Sequence, residues 1–204
     1  MLIKSLVVGH FGVNTYIVTD ADTMQSVVID PGDESNTILD YTESNKMTIK
    51  HIFITHGHFD HVGAVEALAE ETGADIWINE KDVAKEGDDL SFAYSTSKEL
   101  KFYSDGDTIQ MGNLTFEILE TPGHSRGSVT IKCEDVLFTG DTLFHDSCGR
   151  TDLPGGDMQV LIQSLKRLAA LEGEYEIYPG HMGQSSLSWE KEFNYYVRYA
   201  MSER

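Results

Sequence analysis

Apolar and polar positions alternate in short runs along the chain. LIKSLVV (2–8), TYIVTD (15–20) and SVVIDPG (26–32) predict three opening strands, with GHFGVN (9–14) as a hairpin connection. Pro31-Gly32 punctuates the third run. Ser35 is then placed to cap a helix reaching about Asn45, with Ile38 and Leu39 turned inward. HIFIT (51–55) reads as a buried strand, and VGAVEALAEETG (62–73) spaces its apolar residues as a helix closed by Gly73. DIWIN (75–79) predicts a strand and NEKDVAKEGDD (79–89) a short polar helix. Residues 90–104, carrying Phe92, Tyr94, Phe102 and Tyr103, have little periodicity and are expected to form a mobile flap.

The second half repeats the alternation. DTIQM (107–111), LTFEILE (114–120), SVTIKC (128–133) and DVLFTG (135–140) predict strands joined mostly by short polar turns. DMQVLIQSLKRLAAL (157–171) predicts a helix with Asp157 at its start and Arg167 near its end, as the helix dipole favours. EYEIYPG (174–180) is a last strand and SLSWEKEFNYYVRYA (186–200) a last amphipathic helix. Pro-Gly-His occurs in each half, at 122–124 and 179–181. Sheets with an apolar face need a covering layer, which the helices supply; a two-sheet core with outer helices fits this pattern, as do other mixed α/β arrangements. No linker or low-complexity tract interrupts the pattern, and residues 1–204 read as one domain.

Composition narrows the function class. The chain has 204 residues, 40% hydrophobic and 24% charged, enough for a globular core. No apolar run approaches the roughly 20 residues of a membrane span, and the N-terminus lacks the pattern of a signal peptide, so a cytoplasmic protein is expected. Cys133 and Cys148 suit a reducing compartment and make no disulfide framework. Fifteen basic against 34 acidic residues give a net charge of −19, which repels nucleic acid and anionic membranes but says little about the small-molecule partner that is expected. The composition leaves the oligomeric state open.

THGHFDHVG (55–63) follows the apolar run HIFI and places His56, His58, Asp60 and His61 within six positions. Residues two apart at a strand end share a face, so His56 and His58 can aim at one atom, while Asp60 and His61 face it from beyond a turn. Imidazole and carboxylate are ligands for Zn²⁺ and similar ions. Gly57 and Gly63 allow close backbone approach. His124 in TPGHS, Asp141 in FTGDTLF and His181 in YPGHM share the same setting, a Gly-flanked turn after a predicted strand.

Together, THGHFDHVG, TPGHS, TGDTLF and PGHMG, in this order across nearly the whole chain, resemble the metallo-β-lactamase superfamily. LFHDSCGRTDLPGGD (143–157) is similar to the small glyoxalase-II-type hydrolases and to the persulfide dioxygenases. The resemblance implies an αββα four-layer sandwich with a metal site at one edge of the two sheets. It implies two divalent ions, zinc foremost and iron as the other candidate. His56, His58 and His124 would hold one ion, Asp60, His61 and His181 the second, and Asp141 would bridge them. Asp30 in VVIDPG matches an acidic position that orients a ligand imidazole; a turn-forming Asp before Pro is the alternative.

The implied reaction is attack by a metal-bound hydroxide on a thioester, such as S-2-hydroxyacylglutathione or a related thiol conjugate, with Asp60 orienting the nucleophile. Arg150 stands where glyoxalase II carries a lysine for a glutathione carboxylate and is a candidate substrate anchor; an ion pair with Asp152 or Asp157 is the competing reading. Cys148 has no His partner in sequence and reads as a packed or substrate-adjacent thiol. Only about 23 residues follow His181, enough for one helix in place of the larger helical extension of glyoxalase II. His10-Phe11, the 90–104 stretch, Phe144 and His145 are expected to shape the acyl pocket. Two other readings stand beside the hydrolase: a mononuclear Fe(II) persulfide dioxygenase using His56, His124 and Asp141, and an inactive metal-binding scaffold.

Overall fold

The computed structural model describes residues 1–89 and 91–203; Leu90, the first residue of the expected flap, lies outside them. In the first half, β1 (Leu2–Val8), β2 (Val13–Thr19) and β3 (Gln25–Ile29) run antiparallel, and α1 (Ser35–Ser44) crosses to β4 (Thr48–Phe53). Short α2 (Phe59–Val62) and α3 (Val65–Thr72) lead to β5 (Asp75–Ile78), and β6 (Leu100–Phe102) ends a six-stranded sheet ordered β1-β2-β3-β4-β5-β6.

The second half gives β7 (Thr108–Met111), β8 (Leu114–Glu120), β9 (Val129–Cys133) and β10 (Val136–Gly140), then a small hairpin of β11 (Leu143–Phe144) and β12 (Ser147–Cys148). Helix α4 (Met158–Ala169) precedes β13 (Glu176–Pro179) and β14 (Ser185–Ser186), and α5 (Leu187–Phe193) and α6 (Tyr195–Ser202) close the chain. The second sheet is ordered β14-β13-β10-β9-β8-β7.

Alternation along the strands builds three cores. Tyr16, Val18, Val27, Ile29 and Phe53 of the first sheet meet Phe116, Ile118, Ile131 and Phe138 of the second. The residues between them point the other way: Ile17, Val28 and Ile52 pack against Ile38 of α1 and Val65 and Leu68 of α3. Leu119, Leu137 and Ile177 likewise pack outward on Ile162, Leu165 and Leu168 of α4, on Leu187 and on Val197. The order helix, sheet, sheet, helix is the expected αββα arrangement. Both faces of each sheet are covered, which is why β2 and β10 are buried at every position.

Five local expectations are corrected. Ser35 is the first helical residue of α1 and not its cap; Glu34, in the left-handed region at φ 57°, precedes it with no side-chain capping bond. The helix expected over 62–73 is two pieces, and the one expected over 79–89 is a single 3₁₀ turn, Glu80–Asp82, capped by the Asn79 side chain. The last helix is broken at Asn194, whose side chain accepts from the backbone N–H of Tyr196 and Val197 and so starts α6 afresh. Residues 91–104 are only partly a surface loop: β6 pairs in parallel with β5, Tyr94 and Tyr103 are buried, and the Tyr103 hydroxyl donates to the Ile54 carbonyl. No helix among the described residues is long and apolar enough to cross a membrane.

Candidate metal centre

The expected ligands converge because their strands end at one edge. β3, β4 and β5 are parallel, as are β10 and β13, and β8 runs alongside β10 in the same direction through two antiparallel steps. Asp30 follows β3, His56 and His58 follow β4, His124 follows β8, Asp141 follows β10 and His181 follows β13. Asp60 and His61 reach the same space from α2.

The donor atoms form two neighbouring groups. One ring nitrogen each from His56, His58 and His124 lie within 4.8 Å of one another, and donors of Asp60, His61 and His181 do the same. Asp141 lies between the groups, with Oδ1 3.4 Å from His61 Nε2 and Oδ2 3.5 Å from His124 Nε2 and 3.6 Å from His181 Nε2. His58 Nδ1 is 2.9 Å from His124 Nε2. The seven expected ligands are therefore together.

Support comes from behind. Thr55 Oγ1 donates to Asp30 Oδ2 (2.6 Å) and, with its proton so used, accepts from His56 Nδ1–H at 3.1 Å. The same Asp30 oxygen accepts from His61 Nδ1–H at 3.0 Å, while Thr55 N–H donates to Asp30 Oδ1 at 2.7 Å. His124 Nδ1–H donates to the Arg150 carbonyl at 2.7 Å. Each bond fixes a tautomer whose free lone pair faces the centre. Asp30 thus contacts the His61 imidazole directly and the His56 imidazole through Thr55.

These contacts leave specific atoms unpaired. Five buried side-chain polar atoms have no hydrogen-bond partner among the described residues; four are His56 Nε2, His58 Nε2, His61 Nε2 and Asp141 Oδ1, and the fifth is the Tyr94 hydroxyl. Buried unpaired groups cost about 1–3 kcal/mol each, and all four lie on residues of the two donor groups or on Asp141 between them, where cations would fit.

Charge follows the same layout. Burial, then the neighbouring His61 and His124 imidazoles, hold His56 well below the usual histidine range; burial and His124 push His58 down to about 3. Burial would also lower His61, but the Asp141 and Asp30 carboxylates outweigh it and raise it to about 9. Asp60 falls to about 2, because its hydrogen bond from His181 and the charge of His61 overcome its burial.

Several supports were not singled out from sequence. Asp82 is buried and accepts from Gly57 N–H (3.0 Å), Ser125 Oγ (2.5 Å) and Gly127 N–H (2.5 Å), tying the His58 and His124 loops together. Asn14 Nδ2 donates to the carbonyls of Pro179 and Met182, both at 2.9 Å, and fixes the His181 loop. Asp82 lies in no motif, and only the folded contact reveals it. Gly57 packs as expected, since an added Cβ there would run into the Asp82 carbonyl oxygen.

The centre floors a cavity of about 540 Å³. Phe11, Phe92 and Phe144 line it as expected, whereas His10 and His145 do not. Arg150 reaches its rim, exposed, with Nε and Nη2 bound to the two Asp152 carboxylate oxygens at 2.6 and 2.7 Å. Cys148 also lines it, and burial pushes its thiol up to about 11.

With this fold and this edge-on donor set, the chain belongs to the metallo-β-lactamase superfamily, whose sequence profile matches residues 8–181. It is 33% identical to the hydroxyacylglutathione hydrolase GloC of Haemophilus influenzae, covering 95% of this chain and 97% of that one. The crystal structure of BLEG-1, a B3 metallo-β-lactamase, superposes with a TM-score of 0.86 at 27% identity, covering 96% and 99% of the two chains. That of ETHE1 from Myxococcus xanthus does so with 0.83 at 29% identity, covering 99% and 91%.

Proposed function

We propose that this protein is a metal-dependent hydrolase of thioesters, S-2-hydroxyacylglutathione or a related thiol conjugate, built on one domain. The observation that carries the metal dependence is the set of unpaired buried atoms on His56, His61 and Asp141, beside the His58 and His124 nitrogens that meet at 2.9 Å. His56, His58 and His124 would hold one divalent ion, Asp60, His61 and His181 another, with Asp141 shared. Such ions, zinc foremost, supply Lewis acidity that polarises an acyl carbonyl and acidifies water.

The chain's own residues do the rest. Asp60, kept ionised with its Oδ2 3.4 Å from His181 Nε2, accepts a hydrogen bond from the attacking water and orients it. Asp30 and Thr55 hold His61 and His56 in the ligating tautomer. The thiol of a thioester, with a pKa near 8.5, departs as thiolate without a dedicated acid. Cys148 stays protonated and is no nucleophile. Arg150 acts on the site through its carbonyl, and its guanidinium meets a substrate carboxylate only by exchanging it for Asp152. The similarity to GloC over 95% of the chain supports the thioester choice.

The likeness to ETHE1 supports a second reading, persulfide oxidation at one iron held by His56, His124 and Asp141. Metal analysis of protein purified without added metal, followed by a thioester panel and by O₂ uptake with a persulfide, separates the two. Zinc with thioester turnover is the expected result. Iron with persulfide-dependent O₂ uptake, and no thioester turnover, replaces the first reading with the second.

A further inference from the structure

Above its polar floor the cavity is walled by Phe11, Phe59, Phe92, Phe144, Leu153 and Met182. They come from separate parts of the chain: the β1–β2 turn, the start of α2, the 91–104 loop, β11, the loop before α4 and the turn after β13. Phe11 and Phe59 meet edge to face with ring centroids 5.1 Å apart, and Phe92 stands 5.6 Å from the His58 ring. Phe11, Phe59 and Met182 are 60%, 44% and 60% exposed, a cost in water that an apolar ligand would remove. Among the described residues, the charged side chains away from the floor come down to Arg150, already neutralised by Asp152.

From this we infer, resting on the thioester reading above, that the substrate carries an uncharged apolar group on its acyl or its thiol side, seated between Phe11, Phe59 and Met182. Glutathione carboxylates find one cation there, and it is paired. A short 2-hydroxyacyl group leaves the aromatic walls wet. An alkyl or aryl group covers them.

The test is a ladder of S-acyl-N-acetylcysteamines from acetyl to octanoyl, and a matching ladder of S-alkyl thioacetates with the acetyl fixed. On the side that meets the aromatic walls, kcat/KM rises about fourfold per methylene until the wall is covered, the factor corresponding to about 0.8 kcal/mol per buried CH₂. The rise sits in KM, and the octanoyl or octyl member exceeds S-2-hydroxyacylglutathione. Phe11→Ala and Phe59→Ala, both at exposed positions, flatten the slope. Tyr195→Ala, which removes an aromatic that is 71% exposed away from the cavity, leaves the slope as it is. Turnover that is flat along both ladders overturns the inference while the thioester reading stands. If no thioester turns over, calorimetric binding of the unreactive S-ethyl and S-octyl thioethers of N-acetylcysteamine still decides it. Tighter binding of the octyl compound, lost in the double variant F11A/F59A, upholds the apolar seat, and equal binding of the two overturns it.

Discussion

Asp30 serves two imidazoles with one carboxylate oxygen, His61 directly and His56 through Thr55. Orienting partners of metal ligands typically carry a 10- to 100-fold effect on metal affinity. Asp30→Asn should therefore weaken metal binding by about that range, and Thr55→Val, which breaks only the His56 arm, by about tenfold, read by competition against a chromophoric chelator. Unchanged affinity in Asp30→Asn would reduce Asp30 to a turn residue. The convergence of these side chains was legible because His56, His58, Asp60 and His61 stand together and His124 and His181 share Pro-Gly-His. The Thr55 role was not, because a threonine beside a histidine has no pattern until the Asp30 side chain arrives from another strand.

At the scale of elements, the strand pattern was read almost throughout, since the outward and inward cores use alternate residues of the same strands. What escaped was short or non-local. β11 and β12 have two residues each and owe their place to Asn194, whose side chain donates to Ser147 O at 2.9 Å, and to Glu190, which accepts from Asp146 N–H at 3.0 Å. The same Asn194 restarts α6, so the expected single helix could not form. Asp82, on a 3₁₀ turn, clasps two ligand loops from another layer of contacts. Asp82→Ala leaves those N–H groups unpaired, and we expect a loss of about 3 kcal/mol in denaturant unfolding, with weaker metal binding because His58 and His124 are released together. Ser188→Ala, on the exposed face of α5, is the matched control and should change neither.

For the whole molecule, a bound metal would compete with protons for one buried set of donors. In the metal-free chain His56 and His58 resist protonation, so the unfolded chain binds more protons below about pH 6.5. Stability then falls as pH drops from there towards 3. His61 acts the other way: its raised value, about 9, gives stability fully present below 6.5 and lost as pH rises through 9. Melting temperature of the chelator-treated chain should therefore peak near pH 6.5, and binding of metal at pH 7.5 should release protons, seen as a buffer-dependent calorimetric enthalpy. A flat profile and no proton release would mean that the imidazoles are not arranged as described.

The claim on which the rest stands is that this donor set makes the chain a metal-dependent thioester hydrolase. Its most direct test is thioester hydrolysis by the chelator-stripped chain titrated with Zn²⁺, using a panel that holds both S-2-hydroxyacylglutathione and apolar acyl thioesters. Activity should be absent without metal, return in step with bound zinc to a plateau at two ions per chain, and be lost in Asp60→Ala at full loading. Thioester turnover by the stripped chain, or none at any loading of zinc or iron, would contradict it.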